Sequence, residues 1–255
     1  MSTPASPPTA AILVIGNEIL SGRTQDANSG WLAARLAEIG IPVREIRVIP
    51  DNEAVIVEAV NALRAQARYV FTTGGIGPTH DDITSASIAA AFGVRLLRHP
   101  EAERRLRAHY QAVGSAINAA RLRMAEIPEG ATLIDNPVSV APGFRLDNVH
   151  VLAGVPSIMR AMWDSLRPGL IGGPPVRSVS VTALVREGDM AAGLGALQNA
   201  HPGVDIGSYP FMTDGRIGAS IVVRGTDETL VALVGDKVAD LLRALGSEPE
   251  ITADA

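Results

Sequence analysis

The richest chemistry in this chain lies in one run, Thr72-Thr73-Gly74-Gly75-Ile76-Gly77-Pro78-Thr79-His80-Asp81-Asp82-Ile83-Thr84. It follows a short apolar segment and leads into a helical pattern, so it occupies a strand-to-helix turn. Gly74, Gly75 and Gly77 let successive backbone N–H groups turn inward without a Cβ in the way, forming a cup for an anion. The start of the next helix adds partial positive charge. Asp81 and Asp82 alone would repel the phosphate that such a cup attracts. A divalent cation of the Mg²⁺ kind, bridging carboxylate and phosphate, removes the conflict. Thr79, His80 and Thr84 are further polar candidates in the run, with His80 placed for phosphate contact or water activation. A Gly-Pro turn with an acidic helix start would explain the residues without a ligand, but the density of special residues favours a ligand.

A second group, Gly16-Asn17-Glu18-Ile19-Leu20-Ser21-Gly22 with Asp26 and Asn28 close behind, follows the first apolar run. It therefore shares an edge with the glycine loop. Asn17 and Glu18 could hydrogen-bond a ribose or a ring edge, and Asp26 could cap the next helix; a plain turn and cap fits these residues equally well. Asp51 follows the second apolar run, where it suits a helix cap or, with Asp82, a two-carboxylate metal site. Asn136 to Phe144, with Pro142 and Gly143, and Gly154-Val155-Pro156 read as rigid loops that shape a pocket wall or simply turn the chain.

Several chemistries are excluded or disfavoured. Of the 22 basic residues only Lys237 is a lysine, so there is no Walker A motif and little scope for Schiff-base catalysis. The absence of cysteine removes thiol nucleophiles, disulfides and iron–sulfur ligation. Ser21, Ser139 and Ser157 lack a recognisable His–Asp set, and no histidine pair has metal-ligand spacing. A net charge of −5 and 4% aromatic residues argue against a nucleic-acid partner. No apolar stretch approaches the roughly 20 residues needed to cross a bilayer, and the start of the chain has no signal-peptide pattern. A cytoplasmic protein without a membrane partner is expected.

The elements that must position these residues alternate as strand and helix. Ala10 to Ile15, Val43 to Ile49 and Tyr69 to Thr73 read as strands, separated by helical patterns around Leu32–Ile39 and Val55–Leu63. This predicts an α/β fold with a mostly parallel sheet, helices on both faces and ligands beyond the carboxyl ends of the strands. Thr84 to Ala125 is mostly helical; short strands return at Thr132–Ile134 and Val149–Ala153, with a helix from Ser157 to Leu166. Residues 1–10 are expected to be a flexible tail and 11–170 the phosphate-binding domain, with GLIGGPP at 169–175 as linker. Residues 176–247 alternate differently and form a smaller α+β unit in the order β-α-β-β-α, leaving 248–255 as a second tail.

Taken in order, Gly16-Asn17-Glu18-Ile19-Leu20, Asp26-x-Asn28, Gly74 to Asp82, Ala141-Pro142-Gly143-Phe144 and Gly154-Val155-Pro156 resemble the molybdopterin-binding family of molybdenum cofactor biosynthesis. The likeness is strongest to the branch containing the amino-terminal domain of competence/damage-inducible protein A (CinA) and the corresponding domain of FAD synthase. The resemblance implies a three-layer α/β/α fold and a pterin- or adenine-bearing phosphate ligand with a divalent metal. By the same resemblance Asp82 and Asp51 hold the metal and Asp81 supports them. It also gives this branch hydrolysis of the pyrophosphate of ADP-ribose or FAD; a molybdopterin carrier and an adenylyl transferase are the alternatives. Family members self-associate, so a dimer or trimer is expected. The small unit resembles the KH-like connector of competence-type proteins, but no lysine or arginine occurs from Glu187 to Gly215 to clamp an RNA backbone. The amide-hydrolysing domain of competence-type proteins and the FAD synthase transferase domain are not among these 255 residues.

Overall fold

β1 (Ala10–Ile15) is apolar and buried at all six positions, as a central strand covered on both faces requires. The computed structural model, which describes residues 8–254, builds a sheet around it. A single turn α1 (Asn17–Leu20) leads to α2 (Ser29–Glu38), β2 (Val43–Ile49), α3 (Glu53–Gln66), β3 (Tyr69–Thr73) and α4 (Thr84–Phe92). Next come β4 (Leu96–Arg98), α5 (Pro100–Ala112), α6 (Ala119–Arg123), β5 (Glu126–Pro128) and β6 (Thr132–Ile134). β7 (Gly143–Leu146), β8 (Val149–Leu152) and α7 (Pro156–Leu166) complete the first unit.

The six-stranded sheet runs β2-β1-β3-β8-β7-β6. Its first four strands are parallel and its last two pairings antiparallel. Ala11, Leu13 and Ile15 face α3 and α4, meeting Ile56, Ala59, Val60, Leu63 and Ile88. The alternate residues Ile12 and Val14 are buried as well, at 0% and 3% exposure, and Phe71 on that side lies 6.3 Å from Trp163 of α7. Trp163 in turn meets Trp31 of α2 edge-on at 6.2 Å. The result is three layers. In the parallel register Val14 sits beside Thr73 and Thr73 beside Leu152, so the loops after β1, β3 and β8 leave the same edge of the sheet.

His150 is a polar exception inside this core, 4% exposed and stacked on Phe71 at 5.0 Å. Burial, reinforced by the like charge of Arg145, pushes its pKa down to about 4. The unfolded chain takes up the proton near pH 6.5 and the folded chain does not, so stability falls as pH drops from about 6.5 to 4, by about 3 kcal/mol in all. His150→Phe should flatten the acid limb of a melting-temperature profile over that window; a limb as steep as in the parent protein would exclude this origin.

The boundary with the second compact unit lies between residues 173 and 174. That unit contains β9 (Arg177–Ala183), α8 (Glu187–Ala200), β10 (Val204–Thr213), β11 (Arg216–Gly225), α9 (Glu228–Ala244) and β12 (Glu250–Asp254). Its antiparallel sheet runs β10-β11-β9-β12. Val231, Val234, Val238 and Leu242 of α9 pack on Val181, Ala219, Ile221 and Val223.

Three expectations are corrected. The carboxyl-terminal segment is not a tail from 248 to 255: Glu250 to Asp254 pair with β9, satisfying a strand edge that would otherwise expose its N–H and C=O groups, and the order becomes β-α-β-β-α-β. Gly143 and Phe144, expected in a loop, open β7 between two partners. Asp51 does not cap α3; Asn52 does, its side chain accepting from Val55 N. Of the amino-terminal tail, residues 1–7 lie outside the described residues, while Ala10 already belongs to β1. No helix among the described residues is long and apolar enough to cross a membrane.

Candidate functional site

The glycine loop owes its shape to positive φ angles. Gly74 has φ 102° and Gly75 φ 68°, left-handed conformations that glycine adopts without the strain a Cβ would bring. Both are anchored: Gly74 N–H donates to Leu152 O at 3.2 Å, and Thr84 N–H donates to Gly75 O at 2.9 Å. Thr84 is fully buried and its hydroxyl donates to Gly74 O at 2.9 Å. Thr84 thus holds the cup from behind.

The rest of the loop fixes one carboxylate. Asp82 Oδ2 accepts from Thr79 N at 2.8 Å and from the Thr79 hydroxyl, and a Cβ added to Gly77 would lie 2.7 Å from that oxygen. Arg123 of α6 clamps the same turn, donating to Thr79 O at 2.9 Å and Asp82 O at 3.3 Å. His80 and Asp81 turn outward, their side chains 98% and 62% exposed.

After β1, Glu18 folds back over Gly16: an added Cβ there would meet its Oε1 at 2.5 Å. Asn17 N–H donates to Asp51 Oδ2 at 2.9 Å, so Asp51 fixes the start of α1. Asp26 Oδ1 accepts from Asn28 N at 2.9 Å and Ser29 N at 3.1 Å, bracing the chain where it enters α2. Asn28 Nδ2 donates to Gly154 O at 2.7 Å, tying the loop after β1 to the loop after β8.

These loops enclose a cleft of about 520 Å³. Among the candidates from the sequence it brings together Glu18, Gly74, Gly75, Gly77, Asp82, Asn136, Gly154, Val155 and Pro156. Asp26 and Asn28 border an adjoining cavity of about 70 Å³ that shares Glu18, Thr24, Gly74, Gly154 and Pro156 with the cleft. Gly16, Asn17, Asp51, Thr79, His80, Asp81, Thr84, Pro142 and Gly143 line neither. Gly143 has a packing role: its Cβ would meet Val151 O at 2.2 Å across the sheet.

Asn136 is 5% exposed and saturated within its own turn. It donates to Ser139 Oγ and Ala141 O and accepts from Val138 N and Ser139 N. Those bonds hold Val140 at φ 67°, a strained position for a β-branched residue, and so set the shape of one cleft wall.

Lining residues that the sequence did not announce include Thr24, Ile76, Pro78, Met124, Ser139 and Ile158. Met124 and the Arg123 clamp come from a helix dozens of residues beyond the motif, where no local spacing marks them. Ile76 and Pro78 stood inside the glycine motif, and an eye for ring-sized apolar walls would have included them.

Family comparison turns this geometry into a membership. Residues 11–171 match the family model described as "Probable molybdopterin binding domain". The chain belongs to that family. Its second unit, residues 175–249, matches "FAD synthase, middle domain". This molybdopterin-binding-domain protein is 36% identical over 250 residues to a protein of Pyrobaculum aerophilum, covering 92% of this chain and 94% of that one. It is 39% identical to a CinA-like protein of Synechococcus sp. strain RCC307 over 64% of this chain, and spans 40% of that longer protein. A solved structure of CinA from Thermoplasma acidophilum, titled as of unknown function, covers 63% of this chain and 96% of its own at 32% identity and a TM-score of 0.59. The chain is CinA-like, and its first unit has the fold of that structure.

Among the described residues, no group of three or more His, Cys, Asp or Glu side chains converges as a metal cage. Glu18 and Asp82 do border one cleft beside the anion cup. One or two carboxylates completed by phosphate oxygens and water is the usual arrangement for Mg²⁺. The residues present fit an ion of that kind arriving with its phosphate.

Proposed function

We propose that this protein binds a pyrophosphate-linked nucleotide of the ADP-ribose or FAD class and hydrolyses the bond between its two phosphorus atoms. One observation carries the reading: a single cleft joins the left-handed Gly74-Gly75 turn to the carboxylates Glu18 and Asp82. Water adds to one phosphorus, the bridging P–O bond breaks, and two phosphate monoesters leave. ADP-ribose would yield AMP and ribose 5-phosphate.

Beyond Gly74, whose own N–H is taken by Leu152 O, the N–H groups of the glycine loop would face the phosphate oxygens and stabilise charge growing on them. Asp82, held by Thr79 and by the Arg123 clamp behind it, and Glu18 would hold a divalent cation; Asp51 acts one step away by fixing Asn17. Such an ion supplies charge neutralisation and water activation. Ile76, Met124, Val155 and Ile158 form walls suited to a planar ring and keep bulk water from it.

A second reading, a pterin or nucleotide carrier without turnover, is favoured by the family description "Probable molybdopterin binding domain" and by the same apolar walls. Incubation with ADP-ribose, FAD and molybdopterin, each with Mg²⁺, Mn²⁺ or chelator, followed by mass spectrometry, separates the two. AMP appearing only with metal supports hydrolysis; saturable binding with every ligand intact would reject it in favour of the carrier.

A further inference from the structure

β2 is an outer strand of the six-stranded sheet, and among the described residues no strand pairs with its far side. Its ladder to β1 is regular from Glu45 to Ile49, after a register shift at the start of the strand. Gly16 N–H donates to Ile49 O at 3.1 Å, so Ile49 turns its backbone groups to β1. Backbone direction alternates along a strand, so the N–H and C=O of Ile46 and Val48 point to the open side. The side chains of these two residues are 45% and 38% exposed, which puts branched apolar groups beside unpaired backbone. Such an edge invites another strand.

The long outer strand of the second unit shows what protection looks like. Along β10 the side-chain amide of Gln198 takes a neighbour's place, donating to Val204 O at 2.7 Å and accepting from Ile206 N–H at 2.8 Å. Pro210, further along β10, has no N–H to offer. β2 contains no proline. It does carry charge, at Arg44, Glu45 and Arg47, and charge on an edge ordinarily keeps a second strand away. Here the order of the charges does the reverse. Glu45 and Arg47 share a face of the strand and already pair with each other. In a second copy of β2 running antiparallel, with Ile46 opposite Ile46, Glu45 of each copy faces Arg47 of the other. Ile46 then exchanges both backbone hydrogen bonds with its counterpart, and Val48 faces Arg44, whose aliphatic stem can cover it. A parallel arrangement in register would instead set Glu45 on Glu45 and Arg47 on Arg47.

We propose that two copies of this chain associate through β2, antiparallel and centred on Ile46, so that the six-stranded sheet continues across a two-fold axis. The two clefts then open at opposite edges of the joined sheet, each complete within its own chain, so the inference is independent of what the cleft binds. A contact of this size gives a dimer of micromolar affinity. Sedimentation equilibrium of the intact chain, from nanomolar to high micromolar concentration, tests it. The parent protein should pass from monomer to dimer. Glu45→Arg and Arg47→Glu each set like charges opposite one another on both sides of the axis, and each should weaken the dimer at least about tenfold. Their melting temperatures at dilution should stay close to that of the parent, because an exposed ion pair adds little. An equimolar mixture of the two variants should dimerise again, since one strand then carries arginine at both positions and the other glutamate. The double variant, Glu45→Arg with Arg47→Glu, restores the pairing across the axis and within the strand and should match the parent. A parent protein that stays monomeric throughout would overturn the proposal. So would an assembly indifferent to the single changes, or a mixture of the two variants that remains monomeric.

Discussion

Asp82→Asn should lower pyrophosphate hydrolysis on the order of 10²–10⁴-fold, the range over which a positioned charged group contributes, while the protein stays folded. The side chain is nearly isosteric, and its oxygen can still accept from Thr79 N–H, the bond that shapes the turn. Arg123 grips the turn through the carbonyls of Thr79 and Asp82, which the substitution leaves untouched. What disappears is the negative charge on the cleft wall beside Gly77. Manganese binding in the presence of ADP should therefore weaken by at least about tenfold, since a charged ligand of a hard cation has been replaced by a neutral one. The manganese measurement applies whether or not the parent protein turns over. A variant with unchanged melting temperature, unchanged manganese affinity and unchanged AMP release would show that Asp82 is only a turn residue.

The motif around Asp82 was legible because its information is local. Glycine frequency, the position after a strand and paired acids all lie within one stretch of chain, and the parallel register then brings Glu18 and Asn28 to the same edge. β1 was legible for a related reason: an uninterrupted apolar run has few homes other than a sheet centre. β7 and β12 were not, because Gly143–Leu146 and Glu250–Asp254 carry too few residues to show a period; each becomes a strand through partners distant in sequence. Asp51 and Asn52 are adjacent and both are good caps, so type alone could not decide between them. The structure gives the cap to Asn52 and leaves Asp51 free to hold Asn17. Arg123 carried no signal at all, since its role depends on where α6 lands.

Gly74→Ala should be among the most destabilising single changes in the first unit, costing about 3 kcal/mol or more from backbone strain and overpacking together. The added Cβ would lie 2.2 Å from Ile15 O, an atom of the central strand that cannot swing aside as a flexible side chain can. Retreat of Gly74 is blocked as well, because its N–H bonds Leu152 O and the loop at Gly154 packs against its Cα. Relief therefore requires β3 to separate from β1 at the edge where the cleft opens, and phosphate binding should be lost along with stability. At 2–4 °C per kcal/mol for a chain of this size, the melting temperature should drop by about 10 °C. Gly130 provides the internal control: its φ is +84° but nothing lies within 4 Å of an added Cβ. Gly130→Ala therefore reports backbone strain alone, about 1 kcal/mol. The difference between the two variants measures the close approach of the glycine cup to β1. Equal melting temperatures for the pair would mean that the cup has room the structure denies it, and that its shape does not depend on glycine at position 74.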